Sequence, residues 1–192
     1  MRKIYLAFIM TVFSMLSDAQ TFIGTGGPIA DFTGVAIPQY YPCVVSGLPT
    51  SIDSVIFGLE TVCIDITHSY DKDIEVKLMS PDSFVVMLSN RNGDGGDNFT
   101  NTCFRGHSSH GLLSDLGNAA PFTGDFDPDG DLALYNNGRD PNGTWFLIIT
   151  DLADADSGDV NSFSLTFGNS PTSHSIMPVS YTHLTLPTSD LV

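Results

Sequence analysis

Five residues of this sequence carry the oxygen chemistry that a hard cation requires. Asp71, Asp73, Asp94, Asp97 and Asn98 supply carboxylate and amide oxygens from two short segments, and calcium takes six or more such oxygens from flexible loops. The other reading of residues 91–98, Arg-Asn-Gly-Asp-Gly-Gly-Asp-Asn, is a solvated acidic loop whose Gly and Asp residues serve turn geometry alone. A second acidic run, Asp125-Phe126-Asp127-Pro128-Asp129-Gly130-Asp131-Leu132, has the spacing of the first half of an EF-hand loop. Its twelfth position is Asn136 rather than a bidentate Glu, no helical pattern flanks it, and Pro128 suits a turn.

Catalysis finds less support. His107-Ser108-Ser109-His110 places hydroxyls beside imidazoles, but no orienting acid or oxyanion donor follows at a recognisable spacing. Neither Gly-Thr-Ser-x-Ala nor Gly-x-Ser-x-Gly occurs, nor the His-Glu-x-x-His of a metalloprotease. We therefore expect no catalytic residues in this chain. His107 and His110 are two ligands at most, too few for a zinc site. His68 alternates with Val62, Ile64 and Ile66, the pattern of a hydrogen-bonded core histidine.

The elements that must position the five donors are strands. Ile74, Val76 and Leu78 alternate with Asp73, Glu75 and Lys77, and Phe163, Leu165 and Phe167 alternate with Ser162, Ser164 and Thr166. Further strands are expected at residues 54–59, 61–68, 84–90 and 144–150, so the fold class is all-β, with two sheets packed as a sandwich or jelly roll. Ser80-Pro81-Asp82-Ser83 reads as the turn of a hairpin. With Met79 opposite Phe84, the antiparallel register sets Asp73 opposite Asn90 and brings the loop 91–98 beside Asp71 and Asp73. The long connections 104–124 and 124–143 read as surface loops.

Composition limits what such a site could serve. The chain carries 22 acids against 7 Lys and Arg, a formal charge of −15, which excludes a phosphate-binding, nucleic-acid-recognising surface. Arg2 and Lys3 before the apolar run 4–16, closed by Ser17-Asp18-Ala19, read as a signal peptide cleaved after Ala19. No later segment is apolar and long enough to span a bilayer as a helix, so a secreted, extracellular protein is expected. In that compartment Cys43, Cys63 and Cys103 predict one disulfide and one leftover thiol. The end of the chain from about residue 178 reads as appended sequence and is set aside from fold reasoning, within a tail taken as residues 171–192.

Several segments together resemble the P-domain, or P/Homo B domain, of proprotein convertases and related bacterial secreted subtilisin-like proteins. They are Ile66-Thr67-His68-Ser69-Tyr70 with Asp73-Ile74 and Ser80-Pro81, Gly96-Asp97-Asn98-Phe99, Ala120-Pro121-Phe122-Thr123-Gly124, Pro141-Asn142-Gly143-Thr144-Trp145 with Thr150-Asp151, and Gly158-Asp159-Val160-Asn161-Ser162-Phe163. Phe163 stands where the family usually has Trp, and Ser83 where it has the turn Gly. The resemblance covers about residues 42–170, after a lead-in at 20–41. It implies an eight-stranded jelly roll and a Cys63–Cys103 disulfide, which would stabilise by about 4 kcal/mol on a loop-entropy model. It also implies a noncatalytic accessory module of a serine endopeptidase system, with a protease domain or another extracellular protein as partner, while the five oxygen donors themselves point to Ca2+ as the expected ion. No protease-like segment precedes the module, which points instead to a second reading, a stand-alone extracellular binding or adhesion module.

Overall fold

Among the described residues, alternating apolar side chains drive ten short strands into two sheets whose apolar faces meet each other. The computed structural model describes residues 18–115 and 117–173. The expected leader up to residue 17 and the set-aside tail from residue 174 lie outside the described residues. In chain order the strands are β1 (Gln20–Ile23), β2 (Gly27–Ile29), β3 (Gln39–Val45), β4 (Gly58–His68), β5 (Ile74–Met79), β6 (Val85–Asn90), β7 (Phe99–Phe104), β8 (Phe122–Phe126), β9 (Gly143–Asp151) and β10 (Gly158–Gly168). One sheet runs β1-β10-β4-β7-β8, with β2 also on β10; the other runs β3-β9-β5-β6. Neighbouring strands are antiparallel except β7 and β8, which are parallel.

The all-β sandwich expected from alternation is the fold that forms. Its ten strands exceed the expected eight or so because the lead-in contributes β1, and β2, to the edge of β10. Between the sheets Trp145, Tyr135, Phe99, Phe104, Phe122, Phe163 and Phe167 are fully buried. The Trp145 indole donates to the Pro141 carbonyl at 2.8 Å and the Tyr135 hydroxyl to that of Leu78, so neither polar tip is left bare.

Three local expectations are corrected. Residues 54–57 do not open a strand, because Asp53 Oδ1 accepts the N–H groups of Val55 and Ile56 and closes a turn; residues 58–68 then form one unbroken strand. The connections 104–124 and 124–143 hold β8 and a 3-10 turn at Leu132–Tyr135. In the β5–β6 hairpin Met79 faces Val85, since Ser80 N–H already bonds the Phe84 carbonyl inside the turn. A bulge between Val76 and Lys77 then puts Glu75, not Asp73, opposite Asn90.

The acids of the EF-hand-like run bind protein groups. Asp129 Oδ2 accepts from Asn90 N–H at 2.6 Å, while Asp129 and Gly130 donate to the carbonyls of Leu88 and Met87. Together they cover the free edge of β6, which would otherwise offer an open template to another strand. Asp131 caps the 3-10 turn through Ala133 N–H, and Asp127 Oδ1 accepts from Ser108 N–H at 2.6 Å.

Candidate functional site

At one end of the sandwich β4 stops at His68, and the chain turns through a 3-10 turn at Asp71–Asp73 into β5. Ile74 lies opposite Asp151, and Leu152 N–H bonds the Asp73 carbonyl at 2.9 Å, so the end of β9 is tied to the same turn. The glycine-rich loop 91–98 wraps over this turn. Asp71 N–H donates to the Gly96 carbonyl, and Asn98 N–H donates to Asp71 Oδ1, each at 2.9 Å. Gly93 has φ +107°, and a Cβ there would sit 2.8 Å from that of Asp71; the loop needs glycine to pack this closely.

Asp71 is the most unusual group of this end. It is 0% exposed, and its Oδ2 has no hydrogen-bond partner. Burial pushes its pKa up to about 7, against the pull of Asn98 N–H, and the negative charge of Asp97 raises it further. Asp73, also buried, is raised first by burial and then by Asp156 and Asp151, with His68 and Arg91 acting the other way.

The five expected donors therefore divide. Asp71 and Asn98 are joined directly. Asp73 feels the charges of Asp156 and Asp151, which raise its pKa, and of His68 and Arg91, which lower it. Asp94 is turned outward to Lys72 Nζ at 2.9 Å. Asp97 lines an open depression beside Thr67, His68 and Asp159. Among the described residues no group of three or more His, Cys, Asp or Glu is arranged to hold a metal ion.

His68, Asp151 and Asp156 complete this end and are absent from the expected donor set. His68 is buried as its alternation predicts, with Nδ1 2.9 Å from the Tyr70 carbonyl and Nε2 3.5 Å from Asp151 Oδ2. Asp156 Oδ1 accepts from Ser69 Oγ at 2.8 Å. The available signal was positional, an acid directly after Thr150 at the end of an apolar run; that it meets Asp73 depends on β9 pairing with β5, which no local pattern states.

The remaining candidates have structural partners. Ser109 Oγ is 3.3 Å from His110 Nδ1, but the same nitrogen lies 2.9 Å from the Asp125 carbonyl, and the ring packs on Phe126. Cys63 and Cys103 face each other across β4 and β7 and form a disulfide, while Cys43 is a buried free thiol whose pKa burial raises to about 11. Asn98 and Asn142, each two residues before a threonine as in a glycosylation acceptor, are engaged as well: the Asn142 amide bonds Leu48 through both its oxygen and its nitrogen, and Asn98 Oδ1 accepts His68 N–H. Among the described residues no helix is long and apolar enough to cross a membrane.

Comparison with known proteins bears on the whole sandwich. The family model described as the proprotein convertase P-domain matches residues 60–167. Leupeptin-inactivating enzyme 1 of Streptomyces exfoliatus is 29% identical over 164 residues, which are 79% of this chain and 31% of that enzyme. The Aeromonas sobria serine protease in complex with its chaperone aligns over 80% of this chain and 28% of that one, at 16% identity and a TM-score of 0.41. The same protease alone aligns over 71% and 28%, at 16% identity and a TM-score of 0.32. The chain spans about a third or less of the length of these relatives.

Proposed function

The chain belongs to the proprotein convertase P-domain family, and from that premise we propose that it is the noncatalytic accessory module of a secreted serine endopeptidase system, stabilising a protease domain by contact. The observation that carries this reading is the family match over residues 60–167, which spans the sandwich from β4 to β10. Two further features agree with it. The Ser-His loop spends its imidazole on a backbone carbonyl and a ring contact, as a structural group would. A relative at 29% identity carries a matching segment as 31% of a longer enzyme, the proportion of an appended module.

That enzyme also provides the test. Exchanging the matching third of leupeptin-inactivating enzyme 1 for residues 20–173 of this chain should give a chimera whose activity outlasts, at raised temperature, that of the enzyme with the third deleted. A chimera no longer-lived than the deletion sinks the accessory reading.

Calcium belongs to the same proposal, with Asp71, Asp73, Asp94, Asp97 and Asn98 as the residues that would hold it. Its support is Asp71 Oδ2, a buried carboxylate oxygen without a partner, of the chemistry a hard cation seeks. An ion there would supply the countercharge that Asp71 and Asp97 lack for each other, and Asp94 would have to leave Lys72 to join it. In Asp71→Asn the rise in melting temperature on adding calcium should vanish; a rise equal to that of the unsubstituted chain removes Asp71 from the site.

A further inference from the structure

An asparagine followed by glycine is prone to react with its own backbone, because the second residue has no Cβ to shield its main-chain nitrogen from the asparagine side chain. The chain holds three such pairs, Asn92-Gly93, Asn137-Gly138 and Asn142-Gly143. The fold restrains two of them. Gly138 N–H is spent on the Ile52 carbonyl at 2.7 Å. The Asn142 amide is held at both ends: its Oδ1 accepts Leu48 N–H at 3.0 Å, its Nδ2 donates to Asp140 Oδ1 at 2.7 Å, and Gly143 already lies in β9 opposite Val45. Gly93 differs. Its carbonyl accepts Gly96 N–H at 3.0 Å, but its own N–H donates to no protein group among the described residues. Asn92 is half-buried and is held by its nitrogen alone, Nδ2 donating to Asp129 Oδ2 at 2.8 Å and to Ser89 Oγ at 3.1 Å. Both residues line an open depression with Lys72, Arg91 and Asp94, where water has access.

We infer that Asn92 is a self-modification site, and that its conversion to an acid releases the segment covering the edge of β6. The Gly93 nitrogen gives up its proton and attacks Cγ of Asn92; the Cγ–Nδ2 bond breaks, and ammonia leaves with that proton. The resulting five-membered succinimide is opened by one water at either ring carbonyl, to aspartate or to isoaspartate. In the aspartate product a carboxylate stands where the amide donor stood beside Asp129 Oδ2, so an attraction becomes a like-charge repulsion. The nearby cations are already engaged, Lys72 Nζ with Asp94 and Arg91 Nε with the Lys72 carbonyl, each at 2.9 Å. Asp129 is the anchor of the edge cover. Its Oδ2 accepts Asn90 N–H at 2.6 Å, and the N–H groups of Asp129 and Gly130 bond the carbonyls of Leu88 and Met87. Withdrawing it loosens that row and opens the edge as a template for another strand. Isoaspartate adds a methylene to the main chain of a loop that packs Gly93 tightly on Asp71, which disturbs the same end.

Ageing the full chain at neutral pH and mapping its peptides by tandem mass spectrometry tests the site. The amide-to-acid mass increase should accumulate at Asn92 severalfold faster than at Asn137 and Asn142, the controls within the same molecule. In hydrogen exchange the N–H groups of Asn90, Asp129 and Gly130 should lose protection severalfold in the aged chain and in fresh Asn92→Asp. In Asn92→Gln, whose side chain is one methylene longer and closes a less favourable ring, the same ageing should change neither readout. Because the aged chain folded before it reacted, its exchange reports the consequence independently of how Asn92→Asp folds. Conversion at Asn137 or Asn142 ahead of Asn92 overturns the site. Conversion at Asn92 that leaves those three amides protected overturns the release of the edge.

Discussion

The two outer faces of the sandwich are built by opposite rules. On the six-stranded sheet the outward residues of β10 are Ser162, Ser164 and Thr166, and they meet polar partners. Thr166 bonds Thr21 hydroxyl to hydroxyl at 2.9 Å, Asn161 donates to Asp65 at 2.8 Å, and Arg105 pairs with Asp125 at 3.4 Å. Apart from Ile23 at the rim, this is the polar-out face expected of an antiparallel sheet in water. The four-stranded sheet presents Tyr40, Val44, Phe146, Met79 and Val85 instead. The same solvent and the same fold therefore left one face finished with polar groups and the other unfinished, with Tyr40, Val44 and Val85 standing in water.

The difference extends to covalent structure. The disulfide lies on the finished face, between β4 and β7, and closes a sequence separation of 40 residues. The remaining cysteine, Cys43, points inward from β3 and is a buried thiol. Replacing both Cys63 and Cys103 with Ala should lower the unfolding free energy by about 4 kcal/mol, the loop-closure term for that separation, as measured by urea denaturation. This is the largest effect we expect. A loss under about 1 kcal/mol would mean that the polar ladder alone secures the six-stranded sheet.

How much of this could be read from the sequence depends on whether a feature is local. Strict alternation at Phe163, Leu165 and Phe167 fixes which side of β10 is wet, because the side-chain period of a strand is two. The unbroken run Trp145 to Ile149 likewise announces a strand that wants cover on both sides. The hairpin register was not legible, because it rests on one bond inside the turn and one bulge near Lys77, and each displaces the pairing by a single residue. The donor set was legible only in part for a related reason. Asp71 and Asn98 meet through a loop that sequence brings near, whereas Asp73 meets Asp151 and Asp156 through the pairing of β5 with β9, which joins segments more than seventy residues apart. The Cys63–Cys103 pairing came from family resemblance rather than from any pattern in the chain.

Where the two faces end, Asp71 joins them: its turn opens β5 of the unfinished sheet, and its carboxylate holds Asn98 at the start of β7 in the finished one. Its folded pKa of about 7 lies above the ordinary carboxylate value of 3.8. A raised acid binds its proton more tightly in the fold, so the stability it contributes is complete below the lower value and is lost as pH rises through the higher one. In a chelator, stability should therefore fall between about pH 4 and pH 7 by an amount on the order of 2–4 kcal/mol from this group, and Asp71→Asn should remove that part of the slope. Asp73, raised in the same direction, leaves a residual slope. A variant that falls as steeply as the unsubstituted chain would show that Asp71 does not carry the linkage.

The smallest expected effect bears most directly on the comparison of faces. In the isolated domain Val44→Lys and Val85→Lys should each change stability by less than about 0.5 kcal/mol, because both side chains already stand in water and break no core contact. Equal indifference is expected at Thr166→Lys on the finished face, where a weak exposed hydroxyl bond is all that is lost. If the two valines instead cost 1 kcal/mol or more, the apolar ladder from Tyr40 to Val85 would be part of what holds the four-stranded sheet together. Its exposure would then be the by-product of cross-strand packing, as exposed β-branched pairs stabilise many sheets. Indifference in the isolated domain would show that cross-strand packing at Val44 and Val85 is not what holds the four-stranded sheet together.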